Sequence, residues 1–182
     1  MTTNKPSLAD KLKSLGVKKG STLVPSGTLP APPKPDSRSI DSVVAGSYFP
    51  TPRGDVFIAE QVYPSNHIYG SSPLLSAFPL SLISQWANDP EIANRPLSKF
   101  AFLDTETSGL SGGTGTYAFL IGVARFVDDR LILRQFFMRD PAEEPALLEG
   151  LANFLAPCDA LVTFNGKAFD APLLSTRYRL HQ

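Results

Sequence analysis

Two apolar runs, each ending in a cluster of polar residues, are the strongest constraint on how this chain folds. The run FAFL at 100–103 leads into Asp104, Thr105 and Glu106. Further along, LVTF at 161–164 leads into an Asn-Gly turn signal and then Asp170. If the first run is a strand, Asp104 and Glu106 project from one face. Three carboxylates gathered at neighbouring strand ends would repel unless cations lay between them, which predicts a Mg²⁺ or Mn²⁺ site.

The second half of the chain has the pattern of a regular α/β segment. Apolar runs predict strands at 100–104, 117–127, 131–140 and 160–165, with Asp128 and Asp129 forming a hairpin turn. Helical spacing predicts one helix between Pro145 and Pro157, and a second over 169–180. The predicted order is β-β-β-α-β-α.

Proline content divides the chain. Thirteen of the 17 prolines precede residue 100, which predicts a boundary near Pro96. Residues 1–40 are interpreted as a basic, Pro-rich and largely extended segment with a short helix after Ser7. Residues 41–97 are a poorly defined extension, in which 56–63 alternates like a strand and 74–87 looks helical with an interruption at Pro79. Residues 98–182 form the predicted domain.

Composition excludes some classes of protein. The formal net charge is zero, although residues 1–38 carry seven Lys or Arg against two Asp, an excess that favours contact with nucleic acid. Cys158 is the one cysteine, so no internal disulfide forms, which fits a cytoplasmic protein. No apolar run has the length of a membrane span, and no signal peptide is evident.

Other site patterns fit less well. A calcium loop starting at Asp104 would place Gly115 where a bidentate Glu is required. The run GTGTYA at 113–118 matches a dinucleotide fingerprint, but it precedes an apparent strand and no Lys follows it. It remains open whether its backbone N–H groups contact a substrate phosphate or the run is a simple turn. Neither His67 nor His181 accompanies a nucleophile motif.

The two acidic motifs resemble a known superfamily. FLDTETSGL is similar to the first motif of the DEDD superfamily of 3′-5′ exonucleases, and TFNGKAFDAPLL to the second, Asn-x-x-x-Phe-Asp. The stretch from 98 to 182 more narrowly resembles the YprB-type bacterial proteins with a ribonuclease H-like domain. This resemblance implies a ribonuclease H-like mixed sheet in which the first and fourth strands lie side by side.

The resemblance also implies a two-metal hydrolysis of DNA or RNA, with two Mg²⁺ or Mn²⁺ ions held by four acidic residues. On that template Asp104 contacts both ions, Glu106 holds the hydrolytic one and Asp170 holds the other. The partner is single-stranded nucleic acid or a nucleic-acid 3′ end. The residues expected to contact substrate are Thr107, Ser108, Gly109, Leu110, Asn165, Lys167 and Arg177.

One part of the family pattern is missing. The third motif, which supplies the fourth Asp and a general base, should lie beyond residue 182, so we expect a truncated domain without its last strand and helix. Two alternatives follow: a catalytically silent nucleic-acid-binding or interaction module, and an inactive fragment. The sequence does not decide between DNA and RNA, or between exonuclease and endonuclease action.

Overall fold

A computed structural model describes residues 39–74, 79–109 and 115–182. The helix predicted after Ser7, the proline-rich linker, Leu110, and Gly113 and Thr114 of GTGTYA lie outside the described residues. Within the described ranges, no helix is long and apolar enough to cross a membrane.

A six-stranded mixed sheet forms the centre of the described structure. The strands are β1 (Ser47–Thr51), β2 (Gly54–Pro64), β3 (Ile68–Tyr69), β4 (Ser72–Pro73), β5 (Phe100–Thr107), β6 (Ala118–Val127), β7 (Arg130–Phe137) and β8 (Ala160–Thr163). The order in the sheet is β1-β2-β7-β6-β5-β8; β5 and β8 run parallel, and the other neighbours pair antiparallel. The short strands β3 and β4 pair separately with each other.

Three α-helices occur in the part of the chain that the structure describes. They are α1 (Ser81–Ala87), α2 (Glu144–Leu155) and α3 (Asp170–Leu180). Short 3₁₀ turns lie at Ile40–Ser42, Pro90–Asn94, Leu97–Lys99 and Pro141–Glu143. Pro145 occupies the first turn of α2, where its missing N–H costs no hydrogen bond.

The α/β class and the order of elements after residue 100 are confirmed. The four predicted strands are β5, β6, β7 and β8, and the two predicted helices are α2 and α3. Asp128 and Asp129 connect β6 to β7, and Asp128 has a positive φ of 52°, as a tight hairpin turn requires. The first and fourth of these strands lie side by side, with Phe102 opposite Val162.

Part of the region before residue 97 pairs with the sheet of the predicted domain, which the sequence did not indicate. Strand β2 pairs with β7 from Phe57 to Pro64, and Arg38–Gln182 forms one compact unit. These residues of the predicted extension therefore belong to the same sheet as strands of the predicted domain. Strand β1 was missed because SYFPT contains Pro50; the proline is tolerated there because β1 lies at the edge of the sheet.

The main core lies between one face of the sheet and the helices α2 and α3. Helix α2 packs over β1, β2 and β7, and its buried residues recur at helical spacing. The sheet contributes Val56, Ile58, Ala101, Leu103, Ile121, Val123 and Phe136, and the helices contribute Leu147, Leu148, Leu151, Phe154, Leu173 and Leu174.

A buried ion cluster ties α3 to the start of α2. Glu144, which is 3% exposed, accepts from Arg177 Nε at 2.6 Å and also pairs with the Nη2 of the same guanidinium. His181 Nε2 lies 2.6 Å from Glu144 Oε2. The Tyr178 hydroxyl adds a bond of 2.8 Å to the Leu148 carbonyl. These contacts fix the orientation of the helix that begins at Asp170.

Glu144→Ala should destabilise the fold strongly. The change removes the acceptor that Arg177 and His181 share in a largely buried position, so we expect the free energy of unfolding to fall by about 3–5 kcal/mol. Urea denaturation at neutral pH measures the change. The control is Asp159→Ala, which removes an exposed ion pair with Arg95 and should cost about 1 kcal/mol or less. Equal losses for the two variants would contradict this role of Glu144.

The same cluster should make stability depend on pH. Burial acts to raise the pKa of Glu144, but hydrogen bonds and charge from Arg177 and His181 outweigh it and hold the pKa below its ordinary value of 4.5. A depressed carboxyl pKa stabilises the fold above the ordinary value, and this contribution is lost as pH falls through the folded-state pKa. The difference in unfolding free energy between wild type and Glu144→Gln should therefore shrink below pH 4.5. A difference that stays constant in urea titrations across this range would rule the linkage out.

Candidate active site at the end of strand β5

Alternation along β5 sends its side chains to two different environments. Ala101 and Leu103 are buried in the core beneath α2 and α3. Phe102, Asp104 and Glu106 point to the opposite face and are exposed. The sequence prediction that the two carboxylates share one face of a strand is therefore met by the backbone of β5.

The strand ends irregularly just after the two carboxylates. Asp104 is paired with Gly122 and Glu106 with Leu120 on β6, and the register shifts between Glu106 and Thr107. Such a bulge redirects side chains and ends regular pairing, and it is common beside functional sites. Asp104 and Glu106 therefore lie near the carboxyl end of β5, a strand that pairs with β6 on one side and with β8 on the other.

Asp170 reaches this strand from the first residue of α3. It is 3% exposed, and its Oδ1 accepts a hydrogen bond of 2.5 Å from the Thr105 hydroxyl. Thr105 lies between Asp104 and Glu106 in sequence, but its side chain extends on the core side of β5. The structure thus joins the two acidic motifs through the hydrogen bond between Thr105 and Asp170.

The convergence of Asp104, Glu106 and Asp170 on a metal ion stays a prediction. Across residues 39–74, 79–109 and 115–182, no set of three or more His, Cys, Asp or Glu side chains is close enough to hold a metal ion. The chemistry of the donors nevertheless suits a hard cation, because all three residues offer carboxylate oxygens. Asp104 and Glu106 fit a divalent cation as an exposed pair; Asp170 is one hydrogen-bonded side chain away.

The loop after β5 is fixed by its own hydrogen bonds. The Thr107 hydroxyl donates to the Gly109 carbonyl at 3.0 Å. Ser108 N–H donates to the Tyr117 carbonyl at 3.0 Å, and Tyr117 N–H donates to the Ser108 hydroxyl at 3.2 Å. These residues lie directly beside Glu106, as a substrate-contacting loop must. Leu110, predicted with them, is outside the described residues.

The second motif forms a tight turn between β8 and α3. Asn165 has a positive φ of 57°, and its carbonyl accepts from Ala168 N–H at 3.1 Å. A Cβ on Gly166 would lie 2.1 Å from Thr163 Oγ1, so the turn requires glycine at this position. Asn165 and Lys167 are exposed on this turn. Both remain predicted substrate contacts.

Arg177 has an internal partner that the sequence did not indicate. Its guanidinium is engaged with Glu144, and its side chain is 12% exposed. The hydrogen bonds that Arg177 donates to the Glu144 carboxylate, together with the charge of that carboxylate, raise the pKa of Arg177 against the effect of burial. This internal ion pair anchors α3, and the phosphate contact of Arg177 stays a prediction.

Two features of the site were not singled out in the sequence. One is Thr105, which connects Asp170 to β5; a hydroxyl residue between two carboxylates carries no separate pattern signal. The other is Phe164, whose ring is 93% exposed directly before Asn165. Phe164 is the last residue of the apolar run at 161–164, and such a run is expected to be buried, so the exposure of Phe164 could not be read from the sequence.

Comparison with known proteins supports the same fold. Residues 101–182 match the family model described as the RNase_H superfamily. A 128-residue segment is 38% identical to "Uncharacterized protein YprB" of Bacillus subtilis (strain 168), covering 68% of this chain and 30% of that protein. The chain thus spans less than a third of the length of this relative. The matched segment and the mixed sheet around β5 and β8 together support a ribonuclease H-like fold for residues 101–182.

Thr105→Val should show how much the hydrogen bond between Thr105 and Asp170 contributes to stability. The substitution keeps the shape of the side chain but removes the donor to the buried Asp170, so we expect a loss of about 1–3 kcal/mol in the free energy of unfolding. Thr105→Ser keeps the donor and should retain more of the stability despite losing a methyl group. Chemical denaturation compares the variants. A Ser variant as unstable as the Val variant would show that the hydrogen bond contributes little.

Proposed function

We propose that this protein is a metal-dependent nuclease, and specifically a 3′-5′ exonuclease of the DEDD type acting on single-stranded ends of DNA or RNA. The observation that carries the proposal is the exposed pair of carboxylates, Asp104 and Glu106, at the end of strand β5. Asp170 stands one hydrogen bond from that strand. The matched superfamily makes nuclease chemistry the leading interpretation of such a pair.

The carboxylates would hold the cations that the reaction requires. Asp104 and Glu106 are accessible from solvent, and Asp170 retains acceptor capacity because Thr105 uses one of several lone-pair positions on its carboxylate. When bound, divalent cations supply Lewis-acid activation of water and stabilise charge on the leaving oxygen. The role of the chain itself is to hold these oxygens in place at a rigid strand end.

Neighbouring groups would position the substrate. The loop of Thr107, Ser108 and Gly109 offers hydroxyl and backbone groups beside Glu106, and its internal hydrogen bonds keep it ordered. On the other side, Asn165 and Lys167 are exposed on the turn before α3. A Lys ammonium there suits a phosphate, and contacts of this kind fix the register of a nucleic acid without reading its sequence.

The assay is release of nucleotides from 5′-labelled single-stranded DNA and RNA with Mn²⁺ or Mg²⁺. Shortening of the labelled strand in single-nucleotide steps is the expected result, and Asp104→Asn should reduce the rate by at least about a hundredfold. The matched control is Asp128→Asn, an equally conservative change of an exposed carboxylate in the β6-β7 turn, which should leave the rate unchanged.

Two outcomes would count against the nuclease. One is hydrolysis that Asp104→Asn does not alter, because the activity would then come from elsewhere. The other is an absence of hydrolysis by folded protein on every strand and metal tested. A Mn²⁺ titration followed by electron paramagnetic resonance adds a readout that does not depend on turnover, since Asp104→Asn should weaken binding of the ion.

A second candidate function is a nucleic-acid-binding module without catalysis. The specific observation in its favour is that Asp170 is buried against Thr105 instead of joining the two exposed carboxylates. This candidate predicts oligonucleotide binding that survives the double change Asp104→Asn and Glu106→Gln. Its affinity should fall as salt rises, because phosphate contacts release counterions.

A further inference from the structure

An open apolar groove runs along the outer face of the sheet to Asp104. The groove has a volume of about 560 Å³ and combines side chains of β5, β6, β7 and β8. Its lining includes Phe102, Asp104, Ala124, Leu133, Val162 and Phe164. A second groove of about 390 Å³, towards α1, shares Phe102, Ala124 and Val162 with it. The volume lies in the range that small ligands and nucleotides occupy.

Phe164 stands at the end of this groove that is nearest to the carboxylates. Pairing between β5 and β8 ends at Leu103 and Thr163, and the residues that follow, Asp104 and Phe164, both line the groove. Val162, the residue before Thr163, lines the same groove. With 93% of its surface exposed, the Phe164 ring has an open face, whereas Phe102 is 37% exposed and packs edge-on against Phe126.

We propose that this groove, defined by Phe102, Val162 and Phe164, binds a nucleobase of single-stranded nucleic acid by stacking on Phe164. The inference rests on the proposed function, since the strand so held is the one whose backbone would reach Asp104. A nucleobase is a flat π-surface that suits an aromatic platform with aliphatic walls. Lys167, exposed on the turn that follows Phe164, supplies a cation for the attached phosphate.

Charge favours this occupant over a purely apolar one. An apolar segment would not pair with the exposed ammonium group of Lys167. Single-stranded nucleic acid presents both required surfaces, an uncharged base for the groove and a phosphate for the lysine. The groove would accept any base, because stacking does not read hydrogen-bonding edges.

The test compares two fluorescent probes of equal length, an oligothymidylate and an abasic sugar-phosphate chain. Fluorescence anisotropy with Ca²⁺ present, a cation that takes the same oxygen ligands, measures their Kd, and gel analysis confirms that each probe stays intact. Phe164→Ala should weaken binding of the oligothymidylate on the order of tenfold and leave the abasic probe unaffected. Lys167→Gln should weaken binding of both probes by the same factor.

The matched control is Leu161→Ala, which removes an exposed apolar side chain from the opposite face of the same strand and should change neither Kd. A second readout uses Phe164→Trp in a Trp86→Phe background, so that the added indole is the sole tryptophan. Stacking should quench its fluorescence with the oligothymidylate and not with the abasic chain. Because the Phe164 side chain is exposed, these variants should fold normally, which circular dichroism checks.

The outcomes separate this inference from the nuclease proposal. If Phe164→Ala weakens both probes equally or neither, the stacking platform is wrong, even where Asp104-dependent hydrolysis stands. If it changes the oligomeric state in light scattering without altering the ratio of the two Kd values, the groove is a contact between copies of the chain. A third outcome is base-dependent binding that Phe164→Ala removes, in a protein that shows no hydrolysis. That outcome supports the stacking proposal and contradicts the nuclease proposal.

Discussion

The architecture of this protein depends on the two faces of strand β5. The strand pairs with β6 on one side and β8 on the other, so its backbone hydrogen bonds are satisfied and its register is fixed. A shift of one residue would move Asp104 and Glu106 into the core and expose Leu103 and Thr105. Burial of Ala101 and Leu103 under the helices therefore sets the direction of the carboxylates, although it involves no polar contact with them.

The position of Asp170 depends on a separate set of contacts, at the far end of α3. Its carboxylate accepts a hydrogen bond from Thr105 at the start of the helix, while Arg177 and His181 bind Glu144 about two and three turns later. The helix is thereby held at both ends, by one neutral donor and one buried ion cluster. This division explains why Arg177, which a motif-based interpretation assigns to substrate, serves the fold: a helix that presents a buried carboxylate must itself be fixed.

Short-range sequence patterns predicted the elements after residue 100, because each element follows from local apolar periodicity and from the turn and proline residues at its ends. Alternating apolar residues gave β5 to β8, Pro145 and Pro157 bounded α2, and two aspartates gave the hairpin. Patterns of this kind did not reveal that β2 completes the same sheet, since pairing with β7 is a long-range property. The same distinction holds for the site. The shared face of Asp104 and Glu106 follows from the two-residue period of a strand, whereas the position of Asp170 depends on how α3 packs against the sheet.

The electrostatics of the strand end limit how a nucleic acid can approach it. Two exposed carboxylates repel a phosphodiester, so attraction must come from cations between them or from contacts beyond their reach. Lys167 offers one such contact, but salt screens the attraction of an exposed charge over a distance of about 8–10 Å. Contacts between uncharged surfaces are not screened in this way. An apolar groove that runs to Asp104 therefore complements the anionic pair: it can retain the bases of a strand whose phosphates the carboxylates alone would repel.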